Sequence, residues 1–155
     1  MIDDKETLVE FRDIDVIRRH PAFRENLIRK SEAAILVYDI TARESFDYIK
    51  SIYDQIISTK TSKKDLRAKP FTSCIVGNKS DCSSARKVEW VEGEKLAASL
   101  GCHFFETSGA IMENVEECLY DVVREVRVHK VSKYTSMGKS GGIFGGFRDV
   151  LCGKN

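Results

Sequence analysis

The uninterrupted apolar run Ala33-Ala34-Ile35-Leu36-Val37-Tyr38 limits what this chain can fold into. A strand with one wet face alternates apolar and polar residues, whereas a run without alternation needs cover on both faces, as in a parallel sheet flanked by helices. A second strand is expected over Phe71–Val76 and a third, shorter one over His103–Thr107. Between the first two, Phe46, Ile49, Ile52, Tyr53, Ile56 and Ile57 recur at helical spacing. Glu89–Leu100 predicts a helix with Val91, Leu96, Ala97 and Leu100 inward, closed by Gly101. A long helix with Val115, Cys118, Leu119, Val122, Val123 and Val126 on its buried stripe follows. Upstream, Thr7–Phe11 reads as a strand, and Pro21–Lys30 as a helix with proline in its first turn and Phe23, Leu27 and Ile28 on one side. Strand and helix in alternation predict an α/β fold with a mostly parallel sheet.

The 155 residues suffice for one domain. A net charge of +1 gives no overall field for nucleic acid, so no nucleic-acid partner is expected. The five cysteines are odd in number and without paired spacing, which predicts reduced thiols and a cytoplasmic setting. His20, His103 and His129 are scattered, so no zinc site is expected. The acidic Met1–Glu6 segment does not resemble a signal peptide, and no apolar run approaches a membrane span.

The run Val76-Gly77-Asn78-Lys79-Ser80-Asp81 ends the second strand in a pattern suited to guanine. The Asp81 carboxylate can accept two parallel hydrogen bonds from N1–H and N2–H, Asn78 can meet the acceptor edge, and the Lys79 stem can lie along the purine face. Such a site leaves buried groups unpaired against adenine, the strongest form of discrimination. The same residues are also ordinary turn formers. A second strand end, Phe105-Glu106-Thr107-Ser108-Gly109-Ala110, suits the same site. There Ser108 can brace Asp81, and the small residues can offer backbone N–H groups to guanine O6.

These two strand ends resemble the guanine-reading half of the Ras-type small GTPases. The candidate guanine-binding set is therefore Asn78, Lys79, Asp81, Thr107, Ser108, Gly109 and Ala110, with Gly109 in place of the family's Ala and Ala110 in place of its Lys. The backbone donor survives both changes while the Lys packing and charge are lost, which predicts looser base binding. Ile35–Thr41, Arg43–Phe46 and Val122–Lys130 extend the resemblance, which runs to about Lys133. The domain assignment that follows is 1–133 as the C-terminal portion of a Ras-like domain and 134–155 as a flexible Gly-rich tail. The expected partners are guanine nucleotide and regulatory and effector proteins of the Ras type, and the expected state is a monomer.

The resemblance also implies parts that this sequence does not contain. The family's phosphate loop, G-x-x-x-x-G-K-[ST], is absent, and Gly138-Lys139-Ser140 lacks the required glycine five residues earlier. GTP or GDP binding is therefore expected to be weak or conditional, and Mg²⁺ binding is expected only if a phosphate loop is supplied. The family's second switch falls on Asp13-Ile14-Asp15-Val16-Ile17: Asp13 is kept, Val16 replaces the γ-phosphate-sensing Gly, and Ile17 replaces the water-orienting Gln. No catalytic residue and little or no GTP hydrolysis are expected from the chain alone. The chain is expected to begin after the family's first strand, phosphate loop, first helix and first switch. That first strand lies between the strands corresponding to Thr7–Phe11 and Ala33–Tyr38. Without it those two must pair directly, receive a strand from elsewhere, or be unstable.

Six of the ten glycines lie beyond Met137, and Cys152 stands four residues from the end, where the family often carries a prenylated Cys. Gly153 and Lys154 are poor substitutes for aliphatic residues, and Asn155 is an unusual last residue, so a disordered cytosolic tail is the simpler reading. Lys130, Lys133, Lys139 and Arg148 with Phe144 and Phe147 would support only weak peripheral contact, at the inner face of the plasma membrane. The alternative to a nucleotide switch is a nucleotide-independent interaction module, a pseudo-GTPase using helix faces that include Glu116, Glu117, Arg124, Glu125 and Arg127. Neither the acidic pocket of a receiver domain nor a flavin loop is evident.

Overall fold

The structure, a computed structural model, describes residues 1–13, 21–61, 71–136 and 150–154. Their elements are β1 (Phe11–Asp13), α1 (Pro21–Lys30), β2 (Ala33–Asp39), α2 (Arg43–Thr61), β3 (Thr72–Asn78), α3 (Trp90–Leu100), β4 (His103–Thr107), α4 (Val115–Ser136) and β5 (Val150–Lys154). The strands form one sheet in the order β1-β5-β2-β3-β4, and every ladder is parallel. The α/β fold expected from the apolar runs is the one observed.

Alternation along β2 and β3 divides the core. Ala34, Leu36, Tyr38 and Ile75 join a cluster with Leu27 and Ile28 of α1, Phe46, Ile49 and Ile56 of α2, and Ala97 of α3. Ala33, Ile35, Cys74 and Val76 face Cys118, Val122, Val123 and Val126 of α4. Both faces of β2 are thus covered, which is why its sequence shows no polar alternation. Two helix residues expected inward are outside: Phe23 is 52% exposed and Val91 is 48% exposed. The apolar stripe of each helix is narrower than its apolar content, and an exposed Phe or Val at its margin is ordinary.

Local chemistry sets the helix ends. At the start of α3 the Glu89 N–H donates to Glu92 Oε2 at 3.0 Å, while the Glu89 side chain accepts from the Glu92 backbone, a reciprocal cap. At its end Gly101 takes φ 66°, a left-handed conformation in which its N–H reaches the Ala97 and Ala98 carbonyls.

Three boundaries differ from expectation. The first strand spans Phe11–Asp13 rather than Thr7–Phe11, and a tight turn at the start of the chain precedes it. Ile2 and Lys5 exchange backbone hydrogen bonds of 3.1 and 3.2 Å, with Asp3 and Asp4 at φ 50° and 58°. Arg124 of α4 grips the Asp3 carboxylate, and Arg127 donates to the Ile2 carbonyl at 3.1 Å. Helix α4 continues past Lys133 to Ser136. Most notably, Val150–Lys154, placed in a flexible tail by the glycine content, is a strand between β1 and β2. Val150–Lys154 becomes a strand by pairing with β1 on one side and the apolar β2 on the other, a tertiary effect that local composition does not reveal. Cys152 is level with Asp13 and Ile35 in that ladder. Ile14, Asp15, Val16 and Ile17, and Lys139, Phe144, Phe147 and Arg148, lie outside the described residues.

Gly93 sets how closely α3 approaches the sheet. A Cβ there would stand 2.5 Å from Phe104 Cζ and closer still to Tyr38 Oη. Alanine would gain about 1 kcal/mol of helix propensity, but overpacking two buried rings costs about 1–3 kcal/mol. With a mid-range packing cost of about 2 kcal/mol less that gain, Gly93→Ala should lower stability by about 1 kcal/mol in a urea unfolding titration. An unchanged or raised midpoint would show that α3 is not held at this distance.

Candidate functional site

In a parallel sheet all strands end on the same side, and that side is where such folds place ligands. Here the register brings Asp39, Asn78 and Thr107 into one row, Asp39 level with Asn78 and Asn78 level with Thr107. Each closes its strand. Two loops grow from this row, Lys79–Ala85 after β3 and Ser108–Asn114 after β4.

The chain leaves β3 through Lys79 at φ 71°, ψ 39°, a left-handed conformation costing about 1–2 kcal/mol for a residue with a Cβ. An ion pair supports it: Lys79 Nζ lies 2.6 Å from Asp39 Oδ2. The other oxygen, Asp39 Oδ1, accepts from the Thr41 N–H and the Thr41 hydroxyl, each at 2.7 Å. Burial pushes the Asp39 pKa upward, but the bonds from Lys79 and Thr41 outweigh it and the net shift is downward. The hydrogen bond to Asp39 raises the Lys79 pKa in turn. Both groups are charged at neutral pH.

A 3₁₀ segment, Ser80–Ala85, then presents Asp81 at the surface. The fully buried Ser108 donates to Asp81 Oδ1 at 2.5 Å, and the Cys82 thiol donates to Oδ2 at 3.4 Å. The Ser108 bond is the main reason the Asp81 pKa falls below the ordinary aspartate value. The same carboxylate pushes the Cys82 thiol up. Asp81 is thus an exposed, ionised acceptor whose orientation is set from beneath.

Asn78 Oδ1 accepts from the Gly109 N–H at 3.2 Å and from the Thr107 hydroxyl at 3.4 Å. With the oxygen so engaged, the amide NH₂ is the group this side chain can offer a ligand. The loop after β4 is closed by reciprocal backbone bonds of 3.1 and 3.0 Å between Ser108 and Glu113, and by Ser80 Oγ donating to Glu113 Oε2 at 2.5 Å. Beneath it, Arg86 grips both oxygens of Glu106 at 2.6 and 2.7 Å and donates to the Val88 carbonyl at 2.9 Å. The two loops are therefore fastened to each other at the surface and one layer down.

Asn78, Asp81, Thr107, Ser108 and Gly109 converge on this one end of the sheet through these bonds, and Ala110 is exposed beside them. Lys79 belongs to the same cluster, but its ammonium is on Asp39. The sequence reading of the site did not include Asp39, Thr41, Arg86, Glu106 or Glu113. An acid closing a strand that is level with Asn78 could have suggested Asp39; the other pairings have no spacing signal. Asp13 closes β1 on the same side of the sheet, separated from β2 by β5.

The profile of the Ras family matches residues 1–128. A "Ras-like protein" of Laccaria bicolor is 41% identical over 127 residues, covering 82% of this chain and 58% of that protein. "Ras-like protein 1" of Saccharomyces cerevisiae is 36% identical over 139 residues, covering 90% of this chain and 43% of that protein. The chain spans about half the length of these relatives. A Cβ at Gly109 would meet only Asn78 Oδ1 at 4.0 Å, so packing does not demand glycine there. From its first residue into its last long helix, this chain belongs to the Ras family.

Proposed function

We propose that this chain carries the guanine-reading half of a Ras-type GTP/GDP switch. The observation that supports this most directly is the Ser108–Asp81 hydrogen bond, which holds an ionised carboxylate outward at the strand ends. Asp81 would accept from guanine N1–H and N2–H, the Asn78 amide would donate to N7, and Gly109 or Ala110 would donate a backbone N–H to O6. Lys79 would cover the ring with its stem. Guanine fits this donor and acceptor set; adenine would face Asp81 with its own acceptor.

The nucleotide's phosphates find no G-x-x-x-x-G-K-[ST] loop in this sequence, and Ile17 cannot orient a water. GDP binding by the chain alone is therefore weak, Mg²⁺ binding waits on a phosphate loop, and hydrolysis is negligible. A cytoplasmic setting suits this role, with Ras-type regulators and effectors as partners and contact with the inner face of the plasma membrane as its weaker form. Among the described residues no helix is long and apolar enough to cross a membrane. The rival reading, a nucleotide-independent interaction module, makes the opposite prediction for the base.

In a calorimetric or NMR titration, GDP should bind with a Kd on the order of 0.1–1 mM and ADP at least about tenfold more weakly. Asp81→Ala should abolish the difference. Equal affinities, or no binding of either nucleotide, would favour the interaction module.

Acidification gives a second check. Ser108 lowers the Asp81 pKa, so the acceptor stays ionised, and guanine binding persists, below the pH at which an ordinary aspartate protonates. In Ser108→Ala the pKa should rise toward the ordinary value of about 3.9, and the acid-side loss of binding should move to higher pH with it. Carboxyl ¹³C shifts of Asp81 followed against pH measure this directly; an unchanged midpoint would remove Ser108 from the account.

A further inference from the structure

The place of Lys79 is decided by a residue outside its own strand. The chain leaves β3 there in a left-handed conformation, and the ammonium crosses to the end of β2, where it lies 2.6 Å from Asp39 Oδ2. Asp39 is oriented by its own neighbours. Its Oδ1 accepts from the Thr41 N–H and the Thr41 hydroxyl, each at 2.7 Å, and its N–H donates to the buried Ser45 hydroxyl at 3.0 Å. The Ile40 N–H donates to the Asn78 carbonyl at 3.1 Å, which fixes one strand end against the other. One carboxylate oxygen therefore sets the direction of the group, and the other faces the lysine. The Asp39 side chain is 19% exposed and the Lys79 side chain 52%. The anchor is covered, while the stem tied to it is half open and strung between two strand ends.

We propose that Asp39 is a positioning residue of the base site: it acts through Lys79, holding the lysine stem as a prearranged apolar ledge for the purine ring, and does not touch the ligand itself. The role rests on the guanine reading of the site and adds to it a residue that neither strand-end motif contains. An untethered lysine samples many rotamers and has to be ordered when a ring settles on its methylenes, whereas a stem fixed at both ends is ordered beforehand. A ledge under the ring is also indifferent to the edge of the base. Asp39, through Lys79, therefore sets how tightly a purine is held, and Asp81 sets which purine it is.

The test places Asp39→Asn and Lys79→Met, singly and together, in the full chain and titrates each with GDP and inosine diphosphate. Asparagine keeps an oxygen for Thr41 without the charge, and methionine keeps an apolar stem without the ammonium. Asp39→Asn should weaken both nucleotides by one common factor of about two- to fivefold, the scale of a half-exposed ion pair, and should add nothing once Lys79 is methionine. A full additional loss in the double variant would make Asp39 merely structural, and a changed GDP preference would put it on the base edge; either result overturns the proposal. A readout without nucleotide separates the ion pair from the base reading. The hydrogen bond to Asp39 raises the Lys79 pKa, so trace acetylation by acetic anhydride, followed by mass spectrometry, should find Lys79 slow in the unmutated chain and at least about twofold faster in Asp39→Asn. An unchanged rate, with GDP still preferred, overturns the positioning role alone. A faster rate with no binding of either nucleotide removes the guanine reading, and the ledge falls with it.

Discussion

The parallel register of β2, β3 and β4 is the constraint on which the candidate site depends. It sets Asp39, Asn78 and Thr107 level with one another, so three polar side chains end three buried strands in one row. A slip of one residue in either ladder would turn Asn78 or Thr107 to the opposite face and break the contacts that join the two loops. What fixes the register is the core. Alternate residues of β2 and β3 enter two different helical layers, and exchanging them would place Tyr38 where the layer accepts Ala33 or Ile35. Packing far from the surface therefore positions Asp81 through Ser108, because the residue that follows Thr107 is carried by the same register.

Electrostatics then refine what packing has placed. Lys79 bears backbone strain, and its ion pair with Asp39 ties that strained turn to the end of the neighbouring strand. Ser108 is wholly buried and spends its hydroxyl proton on a surface carboxylate. Arg86 and Glu106 do for the layer beneath what Ser80 and Glu113 do above it. These contacts join the segment after β3 to β2, to β4 and to the loop after β4, so the site is assembled from three separate parts of the chain.

Much of this was legible in the sequence. The unbroken apolar run of β2 requires a covered parallel strand, and the two strand-end motifs contain Asn78, Asp81, Ser108 and Gly109, which hydrogen bonds bring together at one end of the sheet. Asp39 has no signal of its own in the sequence, because its contact with Lys79 depends on a neighbouring strand's register. Phe23 and Val91 were expected inside because periodicity marks a stripe without its width. The largest difference is β5. Glycine-rich surroundings predict a tail, and only the gap between β1 and β2 gives Val150–Lys154 a reason to be a strand. Composition describes a segment by itself, whereas strand formation is decided by what lies on either side of it.

The central claim is that the row of strand ends, through Asp81, reads both donors on the edge of guanine. The most direct measurement is the affinity of the full chain for GDP against inosine diphosphate, which differs from GDP only by lacking the N2 amino group. Loss of one hydrogen bond to an ionised acceptor is worth about 1.5–3 kcal/mol, so GDP should bind about 10- to 150-fold more tightly. Equal affinity for the two nucleotides would contradict the account.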